Sequence, residues 1–235
     1  MRCKKRKVLN KMWPQIITFD YYGTLVQWPE TLRTCFRRLL PDGSDIVAFH
    51  RTFTDRHSQL RDGPYRPYTH LLRQALHEAM TQWGVPFDQQ APEVLLAMVR
   101  SIPPYPDVPA CLAALATRYR LVIISNTEDQ LIAETVRGLG VPFEVITAEQ
   151  AQAFKPDHRL FAYAFARLGY RASEVVHVGA GYATDMVPAF ELGIPRIWIN
   201  RRGEPGDPSK PPTRELPDLT ALPSCIASLA RDCSA

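Results

Sequence analysis

Ile16-Ile17-Thr18-Phe19-Asp20-Tyr21-Tyr22-Gly23-Thr24 is the stretch from which the rest of the chain is read. A short run rich in β-branched residues meets a single carboxylate, and then a glycine and a threonine. Such a run reads as a strand buried on both faces. An aspartate ending it points to function more than to a turn or cap, and Gly23 frees the backbone to turn sharply behind it. Working outward, the same kind of run returns at 121–124, 143–146, 175–178 and 196–199. Helical segments lie between the later runs, roughly at 128–138, 159–168 and 183–192. Gly138, Gly169 and Gly193 stand where helix C-caps are expected. Strand and helix in alternation imply an α/β fold with a parallel sheet and right-handed crossovers.

About ninety residues separate the first strand from the second, too many for a simple crossover. Helical spacing is visible at Leu71, Leu72, Ala75, Leu76, Ala79 and Met80, and again at Val94, Leu95, Met98 and Val99. Residues 30–102 are therefore read as a helical cap inserted into a core formed by 12–29 and 103–235. The proline-rich stretch 101–109 is the return hinge. A second proline-rich segment, 203–217, is expected to be a surface loop.

The chain has 235 residues, 46% of them hydrophobic and 22% charged, which is ordinary globular usage and argues against disorder or coiled coil. Its net charge of +4 invites a search for an anionic macromolecule. Arg2, Lys4, Lys5, Arg6, Lys7 and Lys11 hold that excess. Without these six, 22 basic residues face 24 acidic ones. Residues 1–11 are thus read as a basic, flexible leader, and no nucleic-acid partner is expected. No apolar stretch follows the leader as a signal peptide requires, and no run is long enough for a membrane span. The five cysteines are odd in number and show no CxxC pair, which fits reduced thiols and a cytoplasmic protein.

In open parallel sheets, ligands bind beyond the carboxyl ends of the strands. Collected there are Asp20 and Thr24, then Ser125-Asn126, then Lys155-Pro156, then Gly179-Ala180-Gly181 with Asp185. A carboxylate can attack as a nucleophile and form an ester. Lys155 would keep it ionised. Ser125 and Asn126 would donate hydrogen bonds to a substrate carboxylate, or equally form an N-cap pair for the helix that follows. Asp185 would hold Lys155 or assist a hydrolytic water, or simply answer a helix dipole. The histidines show no metal-ligand spacing. His70 and His77 read as surface or packing residues, and His177 as the end of a buried strand.

In this order, DxYGT, SN, KP and a glycine-rich turn with an aspartate, the chain resembles the haloacid dehalogenase superfamily over most of 13–202. Asp20 to Leu25, Ser125-Asn126, Phe154-Lys155-Pro156-Asp157 and Trp198-Ile199-Asn200-Arg201 are similar to its L-2-haloacid dehalogenase branch. That resemblance implies a Rossmann-like core with helices on both faces and a helical cap. It implies a metal-independent, cofactor-free hydrolase of small 2-substituted carboxylic acids. Asp20 displaces halide to give an ester, and water releases an inverted hydroxy acid. Lys155, Asp185, Thr24 and Arg51 are its implied catalytic partners. Arg51 stands by the departing halide, unless it is one of several solvent-facing cap arginines. Tyr22, Ser125, Asn126, Trp28 and Tyr68 are the implied substrate-binding residues. The branch also suggests a homodimer.

Two alternatives stand beside it. Phosphatases of the superfamily carry a general-acid aspartate where this chain has Tyr22, and a metal-binding acid where it has Ala180. Halide needs no proton to leave, so dehalogenase chemistry loses nothing by the first change. Related sequences open azetidine-2-carboxylate, where an amine leaves and must gain a proton. The best-known dehalogenases also place Ser and Asn side chains in the turn occupied here by Gly179-Ala180-Gly181.

Overall fold

The computed structural model describes residues 13–232. The basic leader therefore lies outside the described residues. Six parallel strands form one sheet: β1 (Ile16–Phe19), β2 (Arg120–Ser125), β3 (Glu144–Thr147), β4 (Val175–Gly179), β5 (Arg196–Ile199) and β6 (Arg214–Leu216). Their order is β3-β2-β1-β4-β5-β6. The direction of winding reverses at β1, between β2 and β4, which opens the crevice where such sheets bind ligands.

Side-chain alternation divides the interior into two layers. Ile16, Val122, Ile124 and Val175 face one layer, while Ile17, Phe19, Ile123, Val176 and Val178 face the other. All four residues of β1 are fully buried, which explains why it is apolar but for Thr18. Helices α5 (Val108–Ala116) and α10 (Leu222–Asp232) cover one face. α8 (His158–Leu168) and α9 (Val187–Glu191) cover the other. α6 (Asp129–Arg137) and the single turn α7 (Ala148–Ala151) follow β2 and β3.

Between β1 and β2 the chain forms α1 (Trp28–Leu39), α2 (Ile46–Arg61), α3 (Tyr68–Gln82) and α4 (Ala91–Arg100). Asp45 starts α2 by accepting hydrogen bonds from the Val47 and Ala48 amides. On α3, the six residues picked out by helical spacing are all buried. The two linkers of this segment are sewn together. Gln27 N–H donates to the Pro103 carbonyl at 3.0 Å, and its side chain to Pro104 at 2.8 Å.

Gly138 stands at the C-cap of α6 as expected, in the right-handed region at φ −69°, and Gly140 two residues later has φ +74°. Two local expectations are corrected. The 203–217 segment is not loop throughout, because Arg214–Leu216 pairs with β5 at the sheet edge. The expected helix at 183–192 is split. A wide turn at Tyr182–Met186 precedes α9.

Candidate active site

Lys155 is the hub. It is fully buried, on the loop between α7 and α8, and its ammonium donates three hydrogen bonds. These reach Asp20 Oδ1 at 2.8 Å, Asp185 Oδ1 at 2.6 Å and the Ile124 carbonyl at 2.8 Å. Asn126 fixes the lysine backbone from both sides. Its Oδ1 accepts from Lys155 N–H at 2.7 Å, and its Nδ2 donates to the Lys155 carbonyl at 2.9 Å. A buried charge is tolerable only when paired and hydrogen-bonded, and this one is fully paired. Asn126 is thus committed to placing Lys155, and its side chain does not cap α6.

Thr24 closes the other side. Its hydroxyl donates to Asp20 Oδ2 at 2.8 Å and accepts from the Ala180 N–H at 2.8 Å. Each Asp20 oxygen therefore has one donor. The glycine turn after β4 is shaped by Asp185. A Cβ at Gly179 would lie 2.7 Å from the Asp185 side chain, and one at Gly181 would lie 2.1 Å from Thr184 Oγ1. Only glycine lets that carboxylate fold back against the turn, where Asp185 Oδ2 accepts from the Gly181 amide at 3.1 Å. Ser125, at the end of β2, is fully buried, and its hydroxyl has no hydrogen-bond partner among the described residues.

Two carboxylates share one ammonium, and their acidities diverge. Burial opposes charge on both. For Asp185, the Lys155 ammonium and the His177 hydrogen bond outweigh burial and hold it at about 2. Asp20 is raised, by burial and by the negative charge of Asp185, with Lys155 and Thr24 pulling the other way. Burial also disfavours the Lys155 charge, but the two carboxylates more than offset it and raise its pKa. Asp185 is thus the stronger acid of the two, and Asp20 is the more basic and the less deeply buried carboxylate.

An aromatic wall stands over Asp20. Tyr22 lies 4.6 Å from Trp28 and is stacked with Tyr68 at 6.1 Å. Beside it a cavity of about 420 Å³ is lined by Tyr22, Gly23, Trp28, Ala180, Gly181 and Arg201, among others. Asp20 is 8% exposed and is not part of the cavity wall; the residues following it are.

Of the ten residues singled out in the sequence, the structure gathers Asp20, Thr24, Asn126, Lys155 and Asp185 by hydrogen bonds, Tyr22, Trp28 and Tyr68 by ring contacts, and Ser125 by register. Arg51 is not brought in. It is exposed, on the side of α2 away from the buried Phe49, Phe53 and His57. Sequence reasoning also undervalued His177. It is no strand end but sits within β4, fully buried, 3.3 Å from Asp185 Oδ1 and 2.9 Å from Thr18 Oγ1. The available signal was a histidine sharing the inward side of the strand with Val175 in a run otherwise made of valines.

The set does not fit a divalent cation. The ammonium already occupies an oxygen of each carboxylate, and Ala180 offers no side-chain ligand. Among the described residues no group of three or more His, Cys, Asp or Glu is placed to hold one.

A family model for haloacid dehalogenase-like hydrolases matches residues 14–193. The chain belongs to that family. It is similar to an (S)-2-haloacid dehalogenase of Pseudomonas sp. (strain YL), 29% identical over 193 residues, which span 80% of this chain and 83% of that one. It is also similar to haloacetate dehalogenase H-2 of Moraxella sp. (strain B), 27% identical over 220 residues, 91% and 98% of the two chains. Among solved structures, the L-2-haloacid dehalogenase from Xanthobacter autotrophicus with chloropropionic acid covalently bound shares the fold. The TM-score is 0.80 at 19% identity, covering 92% of this chain and 99% of that one. Among the described residues of this family member, no helix is long and apolar enough to cross a membrane.

Proposed function

We propose that the protein hydrolyses small 2-haloacids by the (S)-2-haloacid dehalogenase reaction, with Asp20 as nucleophile. The observation that carries the reading is the Lys155 ammonium bridging Asp20 and Asp185, with a tyrosine rather than an acid two residues after Asp20. An Asp20 oxygen attacks C2 from the face opposite the halogen. The C–halogen electron pair leaves as halide, C2 inverts, and an ester joins Asp20 to the substrate. Water then adds to the Asp20 carboxyl carbon. The bond from that carbon to the substrate oxygen breaks, the 2-hydroxy acid takes up a proton, and Asp20 is restored with one oxygen from water.

The side chains divide this work. Lys155 and Thr24 hold one Asp20 oxygen each, which aligns the carboxylate and stabilises it. The Ser125 hydroxyl, without a partner among the described residues, can donate to the substrate carboxylate. Tyr22, Trp28 and Tyr68 exclude water from the departing halide. Asp185 keeps Lys155 charged throughout the cycle.

The test is halide release from (S)-2-chloropropionate with EDTA present, together with a single turnover in ¹⁸O water. We expect release without added metal, label in Asp20 rather than in the first hydroxy acid formed, and no turnover by Asp20→Asn. Label appearing first in the product would remove the ester. Product from azetidine-2-carboxylate without halide release would move the reading to the amine-leaving alternative. Hydrolysis of p-nitrophenyl phosphate dependent on Mg²⁺ would move it to the phosphatases. The homodimer suggested by the resemblance is checked by light scattering.

A further inference from the structure

Arg201 lies outside the reaction as described, yet its guanidinium touches the turn that carries Asp20. Its Nη2 donates to the Thr24 carbonyl at 3.0 Å. The same guanidinium grips Asp107 with two bonds, Nη1 to Oδ1 at 3.1 Å and Nη2 to Oδ2 at 2.9 Å. It lies 3.8 Å above the Tyr105 ring. Asp107 Oδ2 also accepts from the Leu219 amide at 2.7 Å, which ties it to the segment before α10. The pair is only 15% and 13% exposed, far from the loose surface pairs that contribute little.

What distinguishes this pair is where it sits. Thr24 is held at both ends, its hydroxyl by Asp20 and the Ala180 amide, its carbonyl by Arg201. The chain leaves the core after Thr24 and returns through 103–107, the very segment that supplies Tyr105 and Asp107. Tyr105 N–H donates to the Leu25 carbonyl at 3.0 Å, next to that contact. Arg201 thus joins three segments at one point: the turn after β1, the return linker from α4 and the loop after β5. The pair would keep the Thr24 hydroxyl aimed at Asp20 whatever strain the helical insert places on its linkers.

We propose that Arg201, clamped by Asp107, is a positioning residue that holds Thr24, and through it the Asp20 carboxylate, in line for attack. This rests on the reading of Asp20 as the nucleophile. It predicts a defect in ester formation rather than in substrate binding. A lysine carries the charge but cannot span two carboxylate oxygens and a carbonyl in one plane.

The experiment compares wild type, Arg201→Lys, Arg201→Gly and Asp107→Asn in single-turnover ester formation with (S)-2-bromopropionate. In Arg201→Lys the rate should fall about 100-fold, the cost of a small misplacement, with KM within about threefold. Methylguanidinium added to Arg201→Gly should restore at least about tenfold of the loss, and a lowered rate at near-constant KM separates positioning from a merely structural defect. Hydrogen exchange, read on the same proteins, should quicken at 21–27 and 103–107 in Arg201→Gly and slow again with methylguanidinium. Full ester formation in Arg201→Lys, or a loss that methylguanidinium leaves untouched, overturns the proposal. If wild type forms no ester, the reading of Asp20 fails; the exchange pattern still tests the clamp, and unchanged protection there overturns it.

Discussion

On the sheet side of Asp20, Lys155 donates to three oxygens, Asn126 bonds the lysine backbone in both directions, and Thr24 is held between Asp20 and Ala180. On the helical side, Tyr22, Trp28 and Tyr68 meet through ring faces, and the Tyr22 hydroxyl reaches Thr127 only at 3.4 Å. There His57 Nε2 and Arg61 Nε are buried without a hydrogen-bond partner among the described residues. One side is fixed by directional bonds at strand ends, the other by shape. A directional network fails when a single atom is lost, because the partners left behind are buried charges. A packed wall degrades by degrees, according to how well its neighbours close the gap.

The largest effect should follow Lys155→Met, which breaks the first side outright. It leaves two buried carboxylates facing each other, and loss of one partner of a buried pair costs about 3–5 kcal/mol. We expect no measurable halide release and a lowered urea midpoint. Retention of more than about a tenth of the activity would show that the ammonium does not align Asp20. Tyr68→Ala probes the second side. Removing a buried aromatic costs about 3–5 kcal/mol of stability. Activity should fall only about tenfold, since no bond to a reacting atom is removed. A complete loss of turnover in a folded Tyr68→Ala protein would mean that the tyrosine does more than exclude water.

The contrast explains which parts were legible in the sequence. Asp20, Ser125 and the Gly179–Gly181 turn each lie at or just beyond the end of a buried strand, and parallel topology brings such ends together. Lys155 was legible only by its order in the chain, since nothing local distinguishes it from a solvated loop lysine. β6 escaped because Arg214 and Glu215 are exposed and Leu216 only half-buried, so the edge strand has no apolar alternation to read. The segment between β1 and β2 was legible as helices but not in its facing. Which side of α2 turns inward depends on where Asp45 starts the helix and how it packs on α1 and α3. A family resemblance read from motifs carries neither fact.

Asp185→Asn sharpens the sheet side through pH. Asp20 must be ionised to attack, so the acid limb of kcat/KM follows Asp20 in the free enzyme. That limb should lie above the ordinary value of 3.8, because burial and the Asp185 charge raise it. The asparagine keeps the shape and removes that charge, so the limb of the residual activity should move to lower pH. A limb that stays or rises would mean the two carboxylates do not interact as described. Stability carries the opposite sign. Asp185 is depressed from 3.8 to about 2, so it stabilises the fold above the unfolded value. That contribution is lost as pH falls from 3.8 toward 2, and the loss should be absent from Asp185→Asn.

The smallest effect should come from Arg51→Gln, and its smallness is informative. The family resemblance implies Arg51 as the cation for a departing halide, yet helix geometry turns it away. Each residue advances about 100° around an α-helix, so Arg51 lies about 200° from Phe49 and about 200° from Phe53. Both phenylalanines are buried, with His57 continuing their stripe, and Arg51 is exposed. A cation free in solvent is screened and contributes little to charge developing in a closed site. We therefore expect Arg51→Gln to leave kcat and KM for (S)-2-chloropropionate within about twofold of wild type. A fall of tenfold or more in kcat would require α2 to turn by half a revolution when substrate binds. The helical side would then be set by the substrate, as the sheet side is set by its own hydrogen bonds.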